Sequence, residues 1–296
     1  MNSISSYTFS KIFTEASTQE EVFELVCKSL VDDLLIGKSG LVFTYGMTNA
    51  GKTFTVVGSG TNPGILPRSL TYLYSLLESV NMKVFCNYVE IYNEEVYDLL
   101  SNDPKNKNFK KKLNVKMKGD KFVLQDVSAT RLQNIEDFNN ALEKGIAKKA
   151  HAATNLNQNS SRSHTIFKII LKKEQTDEEE ISLSIVDLAG SERADRTGAS
   201  GKELIEACKI NNSLMVLGKC MEAMRHNSIS INKKIVPFRE SKLTMLFQEY
   251  FQGEENITMI TNINPRKEDF EESVRALNYS CIAKEIKPIR SKLVNT

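Results

Sequence analysis

The octet Gly46-Met-Thr-Asn-Ala-Gly51-Lys52-Thr53 has the spacing GxxxxGK[ST], and it follows an apolar run, Leu41-Val-Phe-Thr-Tyr45. Those residue types in that order can cradle phosphates. The glycines let the backbone turn tightly enough for successive N–H groups to face phosphate oxygens. The Lys52 ammonium reaches the β- and γ-phosphates, and the Thr53 hydroxyl completes a Mg²⁺ shell. Gly46, Met47, Thr48, Asn49, Ala50, Gly51, Lys52 and Thr53 are therefore candidate nucleotide contacts. A plain glycine turn between a strand and a helix is the bland alternative, and the apolar run just before it argues against that.

A cradle alone says only "nucleotide". Phosphoryl chemistry also needs a second carboxylate and a sensor of the γ-phosphate. Ile181-Ser-Leu-Ser-Ile-Val-Asp187 offers an apolar strand that ends in an Asp able to hold a magnesium-bound water. Leu188-Ala-Gly190 then offers a backbone amide free to swing toward the phosphate. By itself such a strand end fits an ordinary turn aspartate equally well; the combination is what counts.

These groups need a scaffold, and the apolar pattern supplies one. Ser17-Thr-Gln-Glu20 reads as a capping box opening a helix, with Val22, Val26, Leu30 and Leu34 on one face and Gly37 as its stop. Strands are expected over residues 41–45, 83–92, 168–171, 181–186 and 257–261. Helices are expected over 66–78, 203–223, 242–251 and 268–285. Residues 102–112 are polar and lysine-rich and read as a solvated loop without an assigned partner. Alternating strands and helices imply an α/β layered fold around a central sheet.

Composition narrows the function classes. The chain has 296 residues, 41% of them hydrophobic, and 39 Lys plus Arg against 37 Asp plus Glu give a net charge of +2. A uniformly basic nucleic-acid binder is excluded, although local basic patches are not. No apolar stretch approaches the roughly 20 residues that span a bilayer, and the first residues resemble no signal peptide, so a cytosolic compartment is expected. Five widely spaced cysteines (Cys27, Cys86, Cys208, Cys220, Cys281) form no metal-ligand pattern with the three histidines, and the cysteines read as reduced thiols. A Ras-like GTPase would also need a guanine-reading Asn-Lys-x-Asp, which the sequence lacks.

Three segments in order carry a family resemblance: 46–53, Asn157-Gln-Asn-Ser-Ser-Arg-Ser-His164, and Asp187-Leu-Ala-Gly-Ser-Glu-Arg193. They resemble the phosphate loop, switch I and switch II of kinesin motor domains. Further matches are Glu90-Ile-Tyr-Asn-Glu94, Ile210-Asn-Asn-Ser-Leu214 and Val236-Pro-Phe-Arg-Glu-Ser-Lys-Leu-Thr244. The resemblance runs from about Tyr7 to Lys287 and is greatest to the mitotic, cytokinesis-associated branch, although that branch's long insertion before residue 83 is absent. It implies a kinesin-type P-loop NTPase: a central, mostly parallel mixed sheet with helices on both faces. Residues 1–287 would form the motor domain, and 288–296 the start of a neck linker.

The resemblance also implies roles. Ser160, Ser161, Arg162, Gly190, Glu192 and Asn211 would be catalytic, with Arg162 and Glu192 pairing to close a gate over the phosphate. Thr53, Ser161 and, through water, Asp187 would hold Mg²⁺ beside ATP, and Phe54 could meet the base from one side. Arg193, Arg196, Lys233, Lys234, Arg239 and Lys242 would face the microtubule. The partner would be tubulin, with neither nucleic acid nor membrane, with dimerisation left to sequence outside this chain and residence on cytoplasmic microtubules, including those of the spindle or midzone. Kinesin motors ordinarily open with an Arg-x-Arg-Pro strand that packs on the adenine. No such strand precedes Ser6 here, so an N-terminally incomplete domain with 257–261 as an open edge is expected. A non-cycling microtubule-binding module is the competing reading.

Overall fold

The computed structural model describes residues 5–77, 82–102, 106, 109–154, 162–173, 180–192, 202–253, 255–284 and 286. Helices α1 (Gln19–Val26) and α2 (Lys28–Leu35) lead into strand β1 (Gly40–Tyr45), then α3 (Lys52–Val56). A small hairpin, β2 (Gly58–Ser59) and β3 (Asn62–Pro63), precedes α4 (Ile65–Leu77), β4 (Met82–Tyr92), β5 (Glu95–Asp98) and β6 (Lys111–Leu113). A second hairpin, β7 (Val115–Lys118) and β8 (Lys121–Leu124), is followed by β9 (Thr130–Leu132) and α5 (Ile135–Thr154). The chain continues through β10 (His164–Lys173), β11 (Ile181–Asp187), α6 (Lys202–Ile229), α7 (Lys242–Gln252), β12 (Asn256–Thr261) and α8 (Phe270–Lys284).

The main sheet runs β12-β1-β11-β10-β4-β5-β6, with β9 also on β4. It is mixed, as expected, but its parallel pairs are confined to β12–β1 and β1–β11, and the pairs from β11 onward are antiparallel. The expected parallel majority is therefore not observed. The reason is connection length: parallel neighbours need a crossover, whereas β4 returns as β5 through a two-residue turn. Asn93 and Glu94 are both left-handed there (φ 55 and 61), the backbone of a tight hairpin whose twist matches the strands.

Strand β1 is buried on both faces, which is why it reads as an unbroken apolar run. Val42 points into a core packed by α1, α2, α4 and α5, while Leu41 and Phe43 point into a second core packed by α6, α7 and α8. The two cores hold the sheet as a rigid plate, and the loops at the carboxyl ends of β1 and β11 lie side by side at its rim. Among the described residues β12 is hydrogen-bonded on one side only, so it is a sheet edge as expected. Cys27, Cys86 and Cys220 are buried free thiols, each pushed up to about 12 by desolvation, which suits packing rather than chemistry.

Local corrections have local causes. The expected capping box is displaced by one residue: Thr18 caps α1, accepting from the Glu21 N–H at 3.1 Å while the Glu21 carboxylate accepts from Thr18 N–H at 3.4 Å. The Ser17 hydroxyl is turned back onto the Thr14 N–H instead. The single expected helix divides at the fully buried Cys27. Within the expected solvated loop, Lys110 is nearly buried and ion-paired with Glu90, and Lys111 and Lys112 begin β6.

Candidate functional site

The phosphate loop leaves β1 at Gly46, where the backbone takes φ 148 and a Cβ would lie 2.0 Å from the Asn262 carbonyl oxygen. Only glycine fits so close an approach. Asn262, just beyond β12, braces the loop from behind: its N–H donates to the Tyr45 carbonyl at 2.8 Å and its side-chain amide to Thr55 Oγ1 at 3.0 Å. At the loop tip Asn49 is left-handed (φ 64), a conformation asparagine tolerates better than most residues.

Lys52 is 7% exposed and folds back over the loop, donating to the carbonyls of Gly46 (2.9 Å) and Met47 (2.8 Å). Burial pulls its pKa below the usual lysine value, with Asp187 and Glu192 acting in opposition. A buried cation solvated by two carbonyls is a prepared seat for an anion.

The Thr53 hydroxyl donates to Asp187 Oδ2 at 2.6 Å, and the Thr44 hydroxyl to Oδ1 at 3.3 Å. A hydroxyl and a carboxylate side by side next to Lys52 form the hard-oxygen donor set that Mg²⁺ takes beside phosphates, so these residues fit the ion. Ser161, the third expected ligand, lies outside the described residues, as does Ser160.

The segment after β11 is fastened to the loop twice. The Ser191 N–H donates to the Gly46 carbonyl at 3.1 Å. The Glu192 carboxylate accepts from the Thr48 N–H at 2.8 Å and from the Thr48 hydroxyl. Gly190 sits beneath this contact, where a Cβ would come within 2.3 Å of both Glu192 Oε2 and Thr48 Oγ1. Met47, Thr48, Asn49 and Glu192 line one wall of a polar cavity of about 290 Å³, faced by Asn264, Arg266, Glu268 and Asp269.

His164 opens β10 and is 2% exposed. Its Nδ1 accepts from the Ala189 N–H at 3.0 Å, and Nε2 lies 2.7 Å from Ser213 Oγ on α6. Burial, reinforced by Lys149 and Lys52, pulls its pKa down to about 3, so the ring is neutral near pH 7. Nδ1 must be bare to accept from an amide, so the proton sits on Nε2 and is donated to Ser213. Ser213 in turn donates to the Ile210 carbonyl at 2.7 Å. The preceding Ser163 donates to Glu90 Oε1 at 2.7 Å.

Of the other sequence-predicted residues, Arg162 is half-buried just ahead of β10, and Asn211 is half-buried on α6. Phe54 is 47% exposed on α3, and Ala50 and Gly51 complete the loop before it. Lys233, Lys234 and Arg239 are exposed, and Lys242 begins α7, its N–H held by Glu94 at 2.8 Å. Arg193 and Arg196 lie outside the described residues. Sequence reasoning listed Thr48 only as a nucleotide contact and gave no specific role to Asn262 or Ser213, and in the segment 230–235 it named Lys233 and Lys234 but not the isoleucines. There Ile231 and Ile235 are 96% and 95% exposed beside the two lysines. The Asn227 amide pins this segment through the Lys234 N–H (2.7 Å) and carbonyl (2.8 Å).

Comparison with known proteins decides the family. The family model described as "Kinesin motor domain" matches residues 1–286. The chain belongs to the kinesin motor family. It is 33% identical to "Kinesin-like protein KIF23" of Mus musculus over 96% of this chain and 39% of that protein. It is 38% identical to "Kinesin-like protein bimC" of Emericella nidulans over 95% of this chain and 24% of that protein. The KIF23 alignment runs to 368 positions, more than the 296 residues here, so that relative carries inserted segments absent from this kinesin domain. The chain thus spans well under half the length of these curated relatives. Among solved structures, a fast kinesin superposes with a TM-score of 0.84 at 34% identity, covering 99% of this chain and 86% of that one. A KIF14 dimer with AMP-PNP on a microtubule superposes with a TM-score of 0.81 at 31% identity, covering 91% and 78%. No described helix of this kinesin domain is long and apolar enough to cross a membrane.

Proposed function

We propose that this chain is the motor head of a kinesin that hydrolyses ATP and couples each cycle to movement along microtubules. The observation that carries the reading is the convergence of Lys52, Thr53, Asp187 and Glu192 on one phosphate loop in a chain of the kinesin motor family.

Phosphoryl transfer asks little covalent work of a protein, so positioning and charge supply the rate. Lys52 exchanges its two carbonyl partners for β- and γ-phosphate oxygens. Thr53 and Asp187, with Ser161, would hold Mg²⁺, which when bound neutralises charge on the phosphates. Gly190 offers its N–H to the γ-phosphate. As it moves, Glu192 leaves Thr48 for Arg162, forming a directional bidentate pair only when both switches are ordered. Ser160, Arg162 and Asn211 then orient the attacking water, and the Glu192 carboxylate takes up its proton.

The track side is read from Arg193, Arg196, Lys233, Lys234, Arg239 and Lys242, with Ile231 and Ile235 exposed beside two of these cations. Similarity to KIF23 supports a place in the cytokinesis-associated branch, on cytoskeletal microtubules of the spindle or midzone. Residues 1–287 are read as the motor domain and 288–296 as the start of its neck linker, with dimerisation left to sequence beyond. Co-sedimentation with polymerised microtubules tests the track assignment. Tighter binding with AMP-PNP than with ADP is expected, and binding indifferent to nucleotide contradicts a motor.

A further inference from the structure

We infer that His164 is a positioning residue that makes the segment after β11 and helix α6 move as one unit, through a hydrogen-bonded latch ending on Ser213. The inference rests on the ATPase reading above and adds the wire by which the nucleotide site reaches α6.

Three bonds in series make the latch: Ala189 N–H to His164 Nδ1 (3.0 Å), His164 Nε2–H to Ser213 Oγ (2.7 Å), and Ser213 Oγ–H to the Ile210 carbonyl (2.7 Å). Every group uses its donor or acceptor once, and the direction is fixed because an amide can only donate to Nδ1. Ala189, His164 and Ser213 are each no more than 2% exposed, so water cannot replace a broken link. Losing one partner leaves a buried polar group unsatisfied, which keeps the three bonds made together.

Its ends lie where coupling is needed. Ala189 precedes Gly190, whose neighbour Glu192 is docked on the phosphate-loop Thr48. Ser213 is followed by 16 more residues of α6 (229 − 213), or roughly 24 Å at 1.5 Å per residue. That helix ends at the 230–235 segment, which Asn227 ties to α6 through Lys234 and whose Lys233 also donates to the Asn227 carbonyl. A shift of Gly190 toward phosphate therefore reaches α6 through Ala189 and the imidazole, which swings about a backbone held in β10, and the far end of α6 moves the exposed lysines. A rigid neutral ring suits this task, since it spans both partners without a side-chain torsion between its two nitrogens.

Two measurements on the whole chain test the latch. The first compares wild type with Ser213→Ala in steady-state ATP turnover, with and without polymerised microtubules. Ser213→Ala is expected to keep basal turnover and the KM for ATP, while microtubule-stimulated kcat falls about tenfold, the loss expected for one buried hydrogen bond. Ser213→Thr, which keeps the hydroxyl, is expected to restore most of the stimulation. Equal stimulation in wild type and Ser213→Ala overturns the latch.

The second measurement is amide hydrogen exchange of α6 in AMP-PNP and in ADP, without microtubules. Protection near Ser213 is expected to depend on nucleotide in wild type and to lose that dependence in Ser213→Ala. A wild-type α6 indifferent to nucleotide overturns the latch even where stimulation is present. A head that no microtubule stimulates overturns the motor reading instead, and exchange alone then decides the latch.

Discussion

Thr53 donates its hydroxyl proton to Asp187 at 2.6 Å across 134 positions of sequence. The contact joins the helix that follows the phosphate loop to the end of β11, and it exists because β1 and β11 are parallel neighbours with Thr44 opposite Asp187. Sheet register, rather than either motif alone, makes one site of the two.

Lys52→Ala is expected to weaken ATP affinity by about a hundredfold or more, since two or more charge-assisted hydrogen bonds are lost. The nucleotide-free protein is expected to melt no lower than wild type, because burial of the ammonium opposes folding and the pKa is lowered accordingly. Calorimetric titration with ATP checks the first part and thermal melting of the apo protein the second.

Glu192→Ala is expected to leave ATP binding within a few-fold of wild type and to reduce turnover about 10²-fold or more, the scale of a lost proton-transfer or water-positioning group. Pre-steady-state phosphate release separates the two effects. Turnover equal to wild type contradicts the gate.

His164 sets a pH dependence. Its folded pKa, about 3, is depressed below the ordinary 6.5. The unfolded chain therefore binds more protons between those values, and the contribution of His164 to stability is complete above pH 6.5 and lost as pH falls toward 3. Between pH 6.5 and 4.5 this removes about 2 to 3 kcal/mol, at 1.36 kcal/mol per unit. Denaturant melts at both values check it: His164→Gln is expected to show a shallower acid loss than wild type, whereas identical slopes contradict a buried neutral imidazole.

Ile231 and Ile235 stand almost fully in solvent beside Lys233 and Lys234. The paired change Ile231→Ser with Ile235→Ser is expected to weaken microtubule affinity about tenfold with an unchanged salt dependence, since burying each isoleucine is worth about 1.5 to 3 kcal/mol at most. Lys233→Ala with Lys234→Ala is expected to flatten the salt dependence instead. Co-sedimentation at several salt concentrations distinguishes them.

What the sequence disclosed follows from how local each signal is. The phosphate loop and strands β1, β4, β11 and β12 were legible because motif and apolar run lie within a few residues. Helix α5 went unnoticed: its buried face is a thin stripe of Phe138, Ala141, Leu142 and Gly145 that continues into the buried Lys148. Gly145 is pressed against the Tyr88 ring, and Lys148 donates to the Ser101 carbonyl. The short strands β5 to β9 went unnoticed because their pairing is set by distant partners. Thr48 and Glu192 meet across 144 positions, so neither neighbourhood announces the contact. His164 was visible within the switch I motif, but its bonds to Ala189 and Ser213 are tertiary.

The most direct test is steady-state ATP turnover of the chain at low salt, with and without polymerised microtubules. The motor reading predicts a rise of about tenfold or more on adding the track, equivalent to at least about 1.4 kcal/mol of barrier. A flat, near-zero rate from protein that nevertheless co-sediments with microtubules contradicts it and leaves a track-binding module without a cycle.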